Sequence, residues 1–213
     1  LLFQDPEISR VIINIGGISN ITNLASNTKI VGFDCGPGNI LMDSWCQRHL
    51  GTTYDKNGTW AESGETIPAL LEELMSFKFF SVPPPKSTGR EVFNLTWLEK
   101  HLSGNESTED VQATLLQLTS RAITDTILKW FPDTTEVYLC GGGTRNIALT
   151  SRIQISLPGK KVAPTDVLGI NADWLEAFAF AWLAKQNIQG VPSSIPSVTN
   201  AKGERILGAV YQA

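Results

Sequence analysis

Charge is sparse in this chain. Asp, Glu, Lys and Arg make up only 18% of its 213 residues, and they balance to a net −4. Nucleic acid or anionic lipid calls for a strongly basic face, and this composition advertises none, which leaves small molecules or protein as partners. Histidine and cysteine are scarcer still: His49 and His101 with Cys35, Cys46 and Cys140 are the whole supply. With no C-x-x-C pair among them, the common zinc patterns are excluded, and an odd number of thiols fits a reduced, cytoplasmic setting. Long apolar runs are missing too, so no stretch reads as a membrane span. The opening LLFQDPEISR has no basic segment ahead of a long apolar run and does not read as a secretory leader. It also has no initiator methionine, so a fragment or a processed piece is the expectation. Triplets matching Asn-x-Ser/Thr begin at Asn57, Asn94 and Asn105, but such triplets arise often by chance, and no secretory context supports them.

What is present is core material. Hydrophobic residues make up 42% of the chain, which is globular and sufficient for one large domain or two small ones. Val11-Ile12-Ile13-Asn14-Ile15 is a β-branched run stopped by Gly16-Gly17, a strand meeting a turn. Residues 18–24 can pair back as a second strand, with a turn around Asn27, and residues 29–34 form a third. A helix follows from Ile40 to about Leu50. Residues 51–105 interleave Gly, Pro and aromatics with short helical patterns, and Val82-Pro83-Pro84-Pro85 must be extended. This segment reads as a largely helical insertion into the fold. Ser107-Thr108-Glu109-Asp110 then offers caps and early negative charge for a helix whose inward face is Val111, Leu115, Leu118, Ala122 and Ile123. Val137 to Cys140 reads as a strand, Arg145 to about Leu157 as a helix, and Lys161 to Ala163 as a short strand. A last amphipathic helix presents Leu175, Phe178, Ala179, Trp182 and Leu183. Three strands followed by alternating helix and strand specify an α/β layered domain with a mixed sheet flanked by helices.

Four features carry chemistry. Gly16-Gly17 after a strand either lets backbone N–H groups approach a phosphate or serves as a plain hairpin turn. Gly141-Gly142-Gly143 departs from the dinucleotide fingerprint, because Asn146 stands at the third glycine position. It remains a strand–turn–helix able to lie against a planar or anionic ligand, or else a close helix–sheet packing point. Lys86-Ser87-Thr88-Gly89-Arg90-Glu91 is a polar hexad that reads chiefly as a solvated loop, although Arg90 or Lys86 can grip a carboxylate or phosphate. Asp34 lies in GFDCGPGN, before a turn of Gly36, Pro37 and Gly38 and near the carboxyl end of a strand, where α/β folds place ligands. Aspartate before glycine is also a common turn residue. Glu176, inside the last helix, must face solvent or bind something.

Seven stretches in order resemble the anhydro-N-acetylmuramic acid kinases of the sugar-kinase/Hsp70/actin superfamily: INIGGISNIT (13–22), GFDCGPGNILMDSW (32–45), PPKSTGREVFN (84–94), DVQATLLQLT (110–119), CGGGTRN (140–146), EAFAFAWLA (176–184) and PSVTNA (196–201). Cys35 stands where that family usually has threonine. The resemblance implies an RNase H-like lobe of the actin/hexokinase/Hsp70 type spanning 1–213, with 51–105 inserted. The family's N-terminal ATPase lobe has no counterpart here, so the isolated chain is expected to be inactive. By the same resemblance Asp34 is the catalytic acid residue, Gly16 and Gly17 approach ATP phosphates, Gly141, Gly142 and Gly143 flank the adenosine, and Glu176 touches the sugar. The implied activity hydrolyses the 1,6-anhydro bridge of the cell-wall sugar and moves the ATP γ-phosphoryl to O6, with Mg²⁺ on the phosphates and a homodimer as the assembly. A non-catalytic sugar- or nucleotide-binding lobe, or another sugar kinase of the superfamily, is the alternative.

Overall fold

The computed structural model describes residues 3–25, 30–199 and 201–211. Five strands form one mixed sheet in the order β3-β2-β1-β4-β5. They are β1 (Arg10–Ile15), β2 (Ile18–Asn23), β3 (Val31–Pro37), β4 (Glu136–Cys140) and β5 (Lys161–Pro164). β2 runs antiparallel to both β1 and β3, whereas β1, β4 and β5 run parallel. β1 is therefore central, and Val11, Ile12 and Ile13 are buried in succession on both faces, which is why this part reads as a β-branched run and not as an alternation. The carboxyl ends of β1, β3 and β4 consequently lie along one edge of the sheet.

Nine helices accompany the sheet among the described residues: α1 (Ile40–Leu50), α2 (Thr59–Glu62), α3 (Pro68–Met75), α4 (Lys78–Ser81), α5 (Leu95–Glu99), α6 (Thr108–Trp130), α7 (Ile147–Ser156), α8 (Leu175–Ile188) and α9 (Pro196–Thr199). α6 is the spine. Ser107 caps it, its side chain accepting from Asp110 N at 3.1 Å, and Val111, Leu115, Leu118, Ala122 and Ile123 are all buried as the spacing requires. Val111, Leu115, Leu118 and Ile123 join Val11, Ile13 and Ile15 of β1, Phe33 of β3 and Leu139 of β4 in one core. The segment carrying α2 to α5 feeds the same core through Leu70, Leu74, Phe93, Trp97 and Leu98. It is stitched in by Ile67 N, which donates to Thr114 Oγ1 of α6 at 2.9 Å.

The opposite face is thinner. Ile12, Tyr138 and Cys140 pack there with Phe3, Leu24 and Ala172, supported by Leu168, Ile170 and Leu175. Two sequence readings are corrected on this side. The helix carrying Phe178 and Trp182, α8, starts at Leu175, and no residue of it is buried; Phe178 and Phe180 are exposed. Its apolar residues ring the whole helix, so no single stripe is turned against the sheet. The third strand also continues beyond Asp34 to Pro37, where the sequence pointed to a free turn. The turn expected around Asn27 lies outside the described residues.

Candidate active site

Asp34 sits within β3, immediately before an irregularity in the ladder. Asn20 pairs with Asp34, yet Ser19 pairs with Gly36, so Cys35 is an extra residue on β3. Such a bulge bends the strand and re-aims the side chains beside it. The stretch beyond is locked by backbone contacts: Gly16 O accepts from Asn39 N at 2.8 Å, and Gly17 O accepts from Gly38 N at 2.9 Å and Ile40 N at 3.1 Å. Only glycine permits this interlock, since a Cβ on Gly38 would stand 2.3 Å from Gly16 O. Thr119 Oγ1 of α6 donates to Gly38 O at 2.9 Å, fixing the same turn from the core side.

The polar hexad closes onto this strand, which corrects its reading as a solvated loop. Asp34 N donates to Lys86 O at 3.1 Å. Ser87 Oγ and Thr88 N then both donate to Asp34 Oδ2, each at 2.8 Å. Among the described residues no donor reaches Oδ1, so one carboxylate oxygen is pinned and the other is available. Lys86 is tied down as well, Nζ donating to Phe79 O at 3.0 Å and lying 4.4 Å from the Phe79 ring centroid. Burial lowers its pKa below the ordinary lysine value, with Lys129 adding to the effect and Asp34 opposing it. Cys35 is no rival base or nucleophile here, because burial pushes its thiol up to about 12. The Arg90 guanidinium rests against Gly17, where a Cβ would stand 3.6 Å from Nη2. A cleft of about 490 Å³ opens beside Asp34, lined by Asn20, Thr22, Lys86, Ser87 and Thr199 among others.

A second cleft of about 620 Å³ opens at the end of β4, lined by Asn39, Asp43, Tyr54, Asp55, Gly142 and Arg145 among others. The three glycines there have different jobs. Cβ atoms on Gly141 and Gly143 would stand 2.3 Å from Asn14 Oδ1 and 2.2 Å from Ile15 Cγ2, so both are needed for packing on β1. Gly142 would meet nothing nearer than Asn39 Nδ2 at 4.0 Å, and it alone of the three borders the cleft. Asn39 Nδ2 also donates to Ile15 O at 3.3 Å, so one side chain links the two glycine turns. Asp43 is pushed up to about 6, by burial first and then by the neighbouring Asp55. Asp55 is itself buried and accepts from Trp60 N and Ala61 N, both at 2.9 Å.

The structure thus gathers Gly16, Gly17, Asp34 and Gly142 along the carboxyl edge of the sheet, as ligand sites in α/β folds require. Glu176 is not drawn in: it lies in the first turn of α8, exposed, and lines neither cleft. Sequence reasoning missed Asn39 just before α1, Asp43 on it, and Tyr54 and Asp55 in the loop after it. Ser87 and Thr88 were visible only as part of a polar run.

The family model described as "Anhydro-N-acetylmuramic acid kinase" matches residues 1–213. The chain belongs to the anhydro-N-acetylmuramic acid kinase family. Proteins of that name from Nitrosospira multiformis and Nitrosomonas europaea are 59% and 58% identical over 212 residues, covering 100% of this chain and 58% of each relative. One from Pseudomonas syringae pv. syringae is 50% identical over 214 residues, covering 100% of this chain and 59% of the relative. The chain therefore spans less than two thirds of these kinases' length. Among solved structures, the activator of the 2-hydroxyisocaproyl-CoA dehydratase from Clostridium difficile, with bound ADPNP, aligns with a TM-score of 0.51 at 17% identity. That alignment covers 90% of this chain and 66% of that one. At such low identity the likeness concerns fold alone, and it agrees with the RNase H-like, mixed-sheet architecture of actin- and Hsp70-type ATPases.

Proposed function

We propose that this chain carries the catalytic base of an ATP-dependent kinase that opens 1,6-anhydro-N-acetylmuramic acid with water and phosphorylates O6, releasing N-acetylmuramic acid 6-phosphate in cell-wall recycling. The observation carrying the proposal is the half-pinned carboxylate of Asp34, with Oδ2 held by two donors and Oδ1 open beside a cleft. Membership of the family supplies the substrate class.

The reaction needs one base. Water attacks the anomeric carbon as the C1–O6 bond breaks, and Asp34 Oδ1 takes the water proton. The departing O6 is captured by the γ-phosphoryl, so no second carboxyl has to protonate it, in contrast to ordinary glycoside hydrolysis. ADP leaves, and Asp34 returns its proton to solvent. An oxocarbenium-like carbon asks little basicity of its partner, so orientation carries much of the rate, and the interlocked Gly16–Ile40 backbone supplies it.

ATP belongs to the glycine edge in this reading. The second cleft falls within the ~300–1,000 Å³ usual for small-molecule sites, and Gly142 leaves its floor bare. Gly16 and Gly17 would stand by the phosphates, while Gly141 and Gly143 shape the adenosine side from behind. Mg²⁺ is proposed as nucleotide-borne. Among the described residues no group of three ligating side chains is placed to cage an ion, and Mg²⁺ typically relies on substrate phosphates and water. Glu176 as a sugar contact, the homodimer and the cytoplasmic location rest on the family resemblance. No helix among the described residues is long and apolar enough to cross a membrane.

The test is sugar-dependent ADP release by the complete protein, with anhydro-N-acetylmuramic acid compared against N-acetylmuramic acid and N-acetylglucosamine. Release with the anhydro sugar alone is expected. Equal release with the open sugars would make this a different sugar kinase, and none with any sugar would leave a binding lobe.

A further inference from the structure

Residues 86–90 form a strap fastened at both ends. At its start, Lys86 O accepts from Asp34 N and Lys86 Nζ donates to Phe79 O. At its far end Gly89 O accepts from Val92 N and Phe93 N, both at 3.1 Å. Phe93 is fully buried, its ring 5.2 to 5.8 Å from those of Phe77, Phe79, Phe80 and Trp97. Held by these anchors, the strap does two things at once. Ser87 and Thr88 engage Asp34, and three residues on, the Arg90 guanidinium lies against Gly17 of the turn at the end of β1. Among the described residues Arg90 makes no ion pair, and its guanidinium donates to no acceptor. A planar cation with all its donors free beside a glycine turn is a ready fork for a phosphoryl group.

The geometry points to a strap that serves both halves of the reaction: Ser87 and Thr88 position the base, and Arg90 binds the transferred phosphoryl. This rests on the kinase reading above. One short, anchored segment then sets the relation between water activation at C1 and capture of O6, so that the bridge is opened only where phosphate is ready to receive it. Arg90 forms and breaks no bond; it neutralises charge on the phosphoryl as it passes from ADP to O6. Ser87 is a positioning residue, acting through its bond to Asp34 Oδ2.

Two measurements on the complete protein test it. Titration with ADP and with a non-hydrolysable ATP analogue needs no sugar turnover. Arg90→Ala is expected to weaken the analogue about 10- to 100-fold while leaving ADP within about twofold, with Arg90→Lys intermediate. Equal loss for both nucleotides, or no loss for either, overturns the assignment of Arg90. For Ser87→Ala, kcat is expected to fall about tenfold with KM for ATP and sugar unchanged, and Ser87→Thr, which keeps the hydroxyl, to restore it. An unchanged kcat, or a loss that Ser87→Thr fails to rescue, overturns the positioning role. Absence of sugar turnover in the unsubstituted protein would defeat the kinase reading instead, while the nucleotide titration would still judge Arg90.

Discussion

The two glycine turns at the carboxyl edge look alike in sequence and use their glycines differently. At the first turn the missing side chain of Gly38 lets its segment lock onto Gly16 and Gly17, carbonyl to amide, so the strand bearing Asp34 is held by main chain. At Gly141 and Gly143 the missing side chains let the loop press against Asn14 and Ile15 of β1, and only Gly142 is left bare toward the cleft. The first turn is a vice for a side chain. The second leaves a bare floor to a cleft. Glycine clusters therefore have to be read position by position, because the atom each would strike decides what it is for.

The largest effect should come from the residue that the first turn holds. Asp34→Asn keeps shape and removes basicity, and kcat is expected to drop about 10²–10⁴-fold with nucleotide affinity retained. Steady-state assay with a parallel nucleotide titration would show it, and near-normal kcat would deny the first turn its purpose. Next come the packing glycines on either side of the comparison. Gly38→Ala and Gly143→Ala each force a Cβ to within 2.3 Å or less of an existing atom. Each should cost about 1–3 kcal/mol of stability, Gly38 the more, because its neighbour is a hydrogen-bonded backbone oxygen. Urea midpoints would rank them.

A subtler contrast involves pH. Asp43, bordering the second cleft, is raised from its ordinary 3.8 to about 6. The folded protein therefore keeps a proton there that the unfolded chain has released, so this group's share of stability is full at low pH and declines as pH rises through about 6. Asp43→Asn should flatten that decline, raising the melting temperature more at about pH 7.5 than at about pH 4.5. A uniform shift at both would remove Asp43 as the cause. The smallest effect is expected for Gly142→Ala, which should leave stability within about 0.5 kcal/mol yet weaken nucleotide binding. Destabilisation as large as that of Gly143→Ala would erase the distinction between the two turns.

Much of the sheet was legible before any coordinates. The β-branched run of β1, the helix from Ile40 to Leu50 and the inward face of α6 follow from short-range pattern, because burial imposes its period on the residues themselves. Residues Asn39, Asp43 and Asp55 were not legible as a cleft: one precedes α1, one lies on it, the third comes in the loop after it, and only packing against the Gly142 turn gives them a common cavity. The hexad at 86–91 was misjudged for the same reason. A run of Lys, Ser, Thr and Arg is polar whether it faces water or a carboxylate.

By itself, then, the sequence determined the order of strands and helices, the glycines where chain must turn, and the family to which those motifs belong. These are local properties, written in periodicity and in residues with special backbone freedom. Only the tertiary structure decided that β3 runs on through a bulge past Asp34, that Ser87 and Thr88 take one carboxylate oxygen and leave the other, and that Gly142 and not its neighbours borders a cleft. The bonds to Asp34 join residues more than fifty positions apart, and a hydrogen bond is specified by distance and direction, neither of which a linear pattern contains.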